Sequence, residues 1–261
     1  MAQNVLTEID AGVGIVTLNR PERHNAFDDT MIAELSEAML AMAHAPAVRA
    51  VVISSTGKSF CAGADLEWMQ RAAGYSLDEN QRDAGELAEM LRRVADCPKP
   101  VIARVQGPAY GGGVGLIAAC DMAVATFESR FALTEVKLGL IPAVISPHVI
   151  AAIGERYARR YMLTAEAFSA AEAYRIGLIH EMVADDAALD DAVGEWVAAL
   201  LKNGPWALAE CKALIRMVAG RPYGPKAIEF TVEAIARVRC SPEGQEGLAA
   251  FLQKRKPDWT I

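Results

Sequence analysis

Apolar and polar positions along the chain follow two periods. Short runs rich in β-branched residues, VGIVTL (Val13 to Leu18), VRAVVISS (Val48 to Ser55), PVIARVQG (Pro100 to Gly107) and MAVAT (Met122 to Thr126), read as buried strands. Between them the period lengthens. Asp28 or Asp29 can cap a helix whose Met31, Leu35, Met39 and Met42 share one face before Pro46 stops it, and Leu87, Met90, Leu91 and Val94 mark a second. Strands alternating with helices predict an α/β core. After about Ile145 the β pattern fades into helix starts and stops: Ser146 with Pro147, a Ser169/Glu172 capping box ended by Gly177, Asp186 through Asn203 ended by Gly204 and Pro205, and Ser241 with Pro242. The division expected is a core over 1–195 and a C-terminal helical region over 196–261. No repeat or low-complexity linker interrupts either.

With 261 residues, 52% of them hydrophobic, the chain can bury a large core, so disordered and fibrous classes are excluded. The net charge of −7, spread along the chain, argues against nucleic acid as main partner. The opening MAQNVLTEID has acids and no apolar core, and no run of about 18 apolar residues could span a membrane. A soluble, cytoplasmic protein is expected. Five cysteines without a C-x-x-C pair or a histidine at ligand spacing predict reduced thiols and no metal site.

Two segments share a strand, small-residue loop and helix plan: VVISSTGKSFCAGADLEWM (Val51 to Met69), whose helix Asp65 could cap, and VIARVQGPAYGGGVGLIAACD (Val101 to Asp121). At such junctions backbone N–H groups of the first helical turn lack intrahelical partners, and the helix dipole favours negative charge there. The stretch GGGVG carries no chemical side chain. Its glycines either allow close packing of helix and strand or expose N–H donors to a substrate oxygen. Neither segment has the Gly-Lys-Ser/Thr ending of a phosphate loop or a dinucleotide spacing.

LNRPERHNAF (Leu18 to Phe27), SFCAGADL (Ser59 to Leu66), GPAYGGGVGL and SPEGQEGLAAFLQKRKPDW (Ser241 to Trp259), in this order, resemble the enoyl-CoA hydratase/isomerase (crotonase) family over nearly the full length. The resemblance implies a crotonase-like ββα superhelix with a C-terminal helical trimerisation region, assembled as a homotrimer or homohexamer. It implies an acyl-CoA thioester as substrate and no cofactor beyond the coenzyme A of that substrate. By motif position, the oxyanion hole for the thioester enolate falls on the N–H groups of Ala64 and Gly112. Arg23, His24, Asn25, Ala26, Ala62, Asp65, Leu66 and Gly111 correspond to substrate- and CoA-binding positions, and the basic QKRKP (Gln253 to Pro257) could reach a CoA phosphate or be a solvated tail.

Hydratases of this family typically use two glutamates. One corresponds to Glu135 in FALTEVKLGLIP; the other falls at Gly115, where no side chain exists. Glu135 among Phe131, Leu133, Val136 and Leu138 should have a raised pKa and serve as a proton carrier. Lys137 reads as a solvated neighbour, His148 as a structural histidine, and Trp68 and Met69 as core residues or walls of an acyl pocket. Branches that need an aspartate near Ala143 are set aside. The stretches EVKLGLIPAVISPHVIAAIGERYARRYMLTAE and RCSPEGQEGLAAFL are most similar to bacterial 3-methylglutaconyl-CoA hydratases of leucine degradation, which suggests hydration of a short branched enoyl-CoA. An enoyl-CoA isomerase using Glu135 alone, and an acyl-CoA-binding protein without turnover, remain alternatives. The segment around Arg71 to Asn80 is expected to be a mobile loop shaping the pocket.

Overall fold

The computed structural model describes residues 3–220, 222 and 224–260. Its first element is a strand that the polar alternation of VLTEID concealed. Strand β1 (Val5–Asp10) buries only Val5 and pairs antiparallel with β2 (Val13–Leu18). Ala11 and Gly12, at φ 44° and 87°, make the tight turn between them, whose positive-φ twist matches that of the strands. Asp28 then caps helix α1 (Asp29–His44) by accepting from the Met31 N–H, and Met31, Leu35, Met39 and Met42 face the core.

Strand β3 (Ala50–Ser55) leads into α2 (Leu66–Ala72) and α3 (Leu77–Ala95). The segment expected as a mobile loop is therefore helical on both sides of a short turn. Ser76 and Glu79 form a complete capping box there, and Leu77 to Asn80 already lie inside α3. Strand β4 (Val101–Val105) is followed by the two-residue β5 (Ala109–Tyr110) and α4 (Gly112–Ala119), then by β6 (Met122–Thr126) and β7 (Arg130–Ala132). Helix α5 (Ser146–Thr164) opens the helical third, but two strands follow it: β8 (Phe168–Ser169) before α6 (Ala170–Ile176), and β9 (Glu181–Val183) before α7 (Asp186–Leu201). Helices α8 (Pro205–Val218), α9 (Pro225–Cys240) and α10 (Pro242–Leu252) complete the chain.

Six strands form one sheet in the order β1-β2-β3-β4-β6-β9, parallel except for β1 against β2, and β5, β7 and β8 make a smaller one. β9 was missed because two or three residues carry no readable period. The Ser169/Glu172 box is half-formed: Ser169 accepts from the Glu172 N–H, while the Glu172 carboxylate goes to Arg175 and Tyr161. The cap of α7 is Asp185, one residue ahead of the expected start. The 195/196 division falls inside α7, where Trp196, Val197 and Leu200 pack with Val52, Ile102 and Val124 of the sheet. Farther on, Lys212 of α8 reaches the Asp121 carboxylate at 2.6 Å, beside the same sheet.

For the site, the decisive fact is the parallel pairing of β3 with β4, Val51 opposite Val101 and Ile53 opposite Ala103. Loops leaving the carboxyl ends of adjacent parallel strands emerge side by side. The two glycine-containing junctions are therefore neighbours.

Candidate active site

The two junctions are tied by main-chain bonds. Tyr110 N–H donates to the Cys61 carbonyl at 2.9 Å, and Phe60 N–H donates to the Pro108 carbonyl at 3.0 Å. Gly63, at φ 88°, is where the approach is closest: a Cβ on it would stand 2.9 Å from the Tyr110 carbonyl oxygen and 3.7 Å from the Gly112 nitrogen. Only glycine fits both the backbone conformation and the gap.

Three neighbouring donors are committed. Ala62 N–H donates to the His24 carbonyl, Asp65 N–H to the Phe27 carbonyl and Gly111 N–H to the Ala132 carbonyl. Ala64 and Gly112 N–H are absent from the backbone bonds among the described residues, Gly112 because it is the first residue of α4. Both residues line a cavity of about 500 Å³, together with Ala62, Leu66, Gly111 and Glu135.

Asp65 does not line this cavity; it builds its rim. Its Oδ1 accepts from the N–H groups of Glu67 and Trp68, and Arg20 lies 3.2 Å from Oδ2. Burial alone would raise its pKa, but these N–H groups and the arginine hold the carboxyl below the usual range. Helix α2 is thereby fixed at the point where Ala64 presents its N–H. Trp68 serves both expected roles, since it is 8% exposed within the core cluster and also walls the cavity, as Met69 does.

Glu135 opens a 3-10 turn after β7. Its Oε1 lies 3.0 Å from where a Cβ on Gly111 would stand, so the glycine at 111 makes room for the carboxylate. Oε2 is buried without a hydrogen-bond partner among the described residues, and burial raises the pKa above the ordinary carboxylate value. Of the expected apolar shell, Phe131 and Leu133 are buried whereas Leu138 is exposed at the cavity mouth. Lys137 is exposed and His148 stays off the cavity wall.

The position expected to hold a second carboxylate is closed. A Cβ on Gly115 would stand 2.2 Å from Ile145 Cγ2 and 2.6 Å from Ile145 Cβ. Ile145, 3% exposed, lines the cavity where a glutamate would have pointed. Ile145 and Asp83 were not legible as site residues; Asp83 of α3 lines the same cavity and accepts from Trp68 Nε1 at 2.9 Å.

The remaining predicted contacts lie outside the cavity, at its border. Arg23 is exposed and paired with Glu67 at 2.6 Å, and His24 Nδ1 lies 3.0 Å from Ser59 Oγ. Asn25 is fully buried with its amide spent on the Thr56 and Ser59 carbonyls, and Ala26 is buried beside it. In QKRKP, Arg255 is bound by Glu246. No group of three or more metal-ligating side chains occurs among the described residues, and no helix is long and apolar enough to cross a membrane.

An enoyl-CoA hydratase/isomerase family model matches residues 8–261. The chain belongs to the enoyl-CoA hydratase/isomerase family. Within this family it is similar to the crystal structure of an enoyl-CoA hydratase from Shewanella pealeana, with a TM-score of 0.95 and 42% identity over 98% of this chain and 96% of that one. It is also 30% identical over 260 residues to the crotonyl-CoA hydratase of Syntrophomonas wolfei, covering 98% of each. The mevalonyl-coenzyme A hydratase sidH of Aspergillus fumigatus is 34% identical over 255 residues, 94% of this chain and 90% of that one. The expected α/β crotonase fold is thus the fold of the family members to which it is similar.

Proposed function

We propose that this family member hydrates the 2,3 double bond of a short, branched enoyl-CoA, with Ala64 and Gly112 N–H as the oxyanion hole and Glu135 as the proton carrier. The observation that carries the reading is the pairing of two uncommitted N–H groups with a half-buried carboxylate, one oxygen of which is buried and unpaired, in one cavity. Preorganised donors at a developing enolate oxygen supply the largest share of such catalysis, and losing one costs on the order of 10²–10³ in rate. Burial raises the pKa of Glu135 above the ordinary carboxylate value, which suits it to take a proton and give it back. No cofactor beyond the substrate's own CoA is required.

The border residues Arg23 and His24 would meet the CoA end, where an arginine suits phosphate oxygens. 3-Methylglutaconyl-CoA is the acyl group suggested by the sequence resemblance. Assembly as a trimer or hexamer fits the exposed apolar rows Ile228, Val232 and Ile235 of α9 and Leu248, Phe251 and Leu252 of α10. Sedimentation of the native protein as a monomer would remove that assembly.

The rival reading, double-bond isomerisation by Glu135 alone, draws on Gly115, whose face Ile145 covers. Purified protein given 3-methylglutaconyl-CoA or crotonyl-CoA, and separately a 3-enoyl-CoA, decides between them by mass and absorbance. A gain of one water with loss of conjugation supports the hydratase. A gain of conjugation at constant mass on the 3-enoyl substrate, without hydration of the others, replaces it with the isomerase. Acyl-CoA binding without turnover of any would leave only a binding protein.

A further inference from the structure

Resting on the hydratase reading, we infer that Asp83 supplies the second carboxylate of the hydration, from α3 instead of α4. Helix α4 cannot supply one, because Ile145 fills the space over Gly115. Among the described residues, the charged side chains that line the cavity are Glu135 and Asp83, both carboxylates. Asp83 is neither solvent-facing decoration nor loosely held. Helix α3 is fixed by its capping box and by the buried Met90, Leu91 and Val94.

One oxygen of Asp83 has a set direction. Trp68 Nε1, a donor only, binds Oδ1 at 2.9 Å, and no hydrogen bond among the described residues engages Oδ2. Trp68 is in turn placed by Asp65, whose Oδ1 accepts from the Trp68 N–H at 3.2 Å. The start of α2 therefore positions both the Ala64 N–H and, through the indole, the Asp83 carboxylate. A structural acceptor for an indole N–H needs no charge; a carboxylate with a spare oxygen in an acyl cavity has a use for it.

In the reaction, Oδ2 of Asp83 accepts one hydrogen of the attacking water and Glu135 accepts the other. As the water oxygen bonds to Cβ, the double-bond electron pair moves onto the thioester, whose oxygen is held by Ala64 and Gly112. Glu135 takes the water proton and returns it to Cα. The net change is addition of one water, with both carboxylates restored.

The test separates hydration from enolisation. Wild type, Asp83→Asn and Glu135→Gln are compared for crotonyl-CoA hydration and for exchange of the α-protons of butyryl-CoA in D2O, which needs only Glu135 and the oxyanion hole. The asparagine oxygen still accepts from Trp68, so the fold is retained. Asp83→Asn should lower kcat for hydration by about 10²-fold or more, with KM and the exchange rate within about threefold of wild type. Glu135→Gln should lose both activities. Hydration by Asp83→Asn within about threefold of wild type, or loss of exchange together with hydration, would overturn the assignment. Wild type that exchanges α-protons but hydrates no enoyl-CoA would instead sink the hydratase reading itself, and this inference with it.

Discussion

Placing a single methyl at position 115 probes how tightly Ile145 closes that face of α4. Carbon atoms pack best at roughly 3.5–4.0 Å, and the added Cβ would meet Ile145 Cγ2 at 2.2 Å and Cβ at 2.6 Å. Relief requires Ile145 to move by about 1.3 Å or more. Ile145 is 3% exposed within the main core cluster and is the residue that precedes α5, so the shift is transmitted into packed neighbours. Overpacking of this kind costs about 1–3 kcal/mol, and Gly115→Ala should sit at the upper end, near 3 kcal/mol. Thermal unfolding at fixed protein concentration would then fall by roughly 6–12 °C, given about 2–4 °C per kcal/mol for chains of nearly this size. Ile145→Gly removes both offending atoms and alone costs about 2–5 kcal/mol as a cavity. Combined, the two substitutions should destabilise less than their sum by about 2 kcal/mol, because each relieves the other. A Gly115→Ala protein within about 0.5 kcal/mol of wild type, or strict additivity in the pair, would refute the steric account.

Three further expectations follow from the site and its frame. Asp65→Ala removes a cap that serves two N–H groups and should cost about 1–2 kcal/mol, with a fall in kcat because Ala64 and Trp68 lose their register; unfolding and initial-rate measurements check both. Glu135 carries a burial-raised pKa, so wild-type stability should decline as pH rises from the ordinary carboxylate value through the folded one and then level off. Glu135→Gln lacks that decline, so a stability difference between the two that is constant from pH 4 to 8 would contradict the burial of the charge. Glu172 is the opposite case: hydrogen bonds from Arg175 and Tyr161 hold its pKa down at about 2. Its contribution is complete above the ordinary carboxylate value and lost as pH falls toward 2, so Glu172→Gln and wild type should differ in acid titration near neutrality and converge at the acid end.

The elements legible in the sequence are those with long periods or explicit punctuation. Strands β2, β3, β4 and β6, the Met face of α1, the Asp65 cap and the Gly177 stop all carry residue types whose local physics fixes their place. Strand β1 escaped because its exposed face breaks the apolar run, and β5, β7, β8 and β9 because two or three residues carry no period. The segment from Arg71 to Asn80, expected as a loop, contains a short turn at 73–75, yet Ser76 and Glu79 within it cap the next helix. The capping box was visible in the sequence, and the turn before it obscured it.

The site divides along the same line. The proposed oxyanion hole is main chain, which requires the absence of side chains, and glycine records close approach directly, as at Gly63, Gly111 and Gly112. A carboxylate in a cavity leaves no such mark. Asp83 stands 15 residues from the indole that holds it, and Ile145 stands 30 residues from the glycine it covers, so each becomes meaningful only when the fold closes those gaps. Ile145 also changes what Gly115 means. Seen alone, the glycine looks like a carboxylate lost; packed against Ile145, it is half of a complementary pair, and a glutamate could return to 115 only with a smaller residue at 145. The two positions therefore have to be exchanged together, which turns an apparent deletion into a packing constraint on where a second carboxylate can stand.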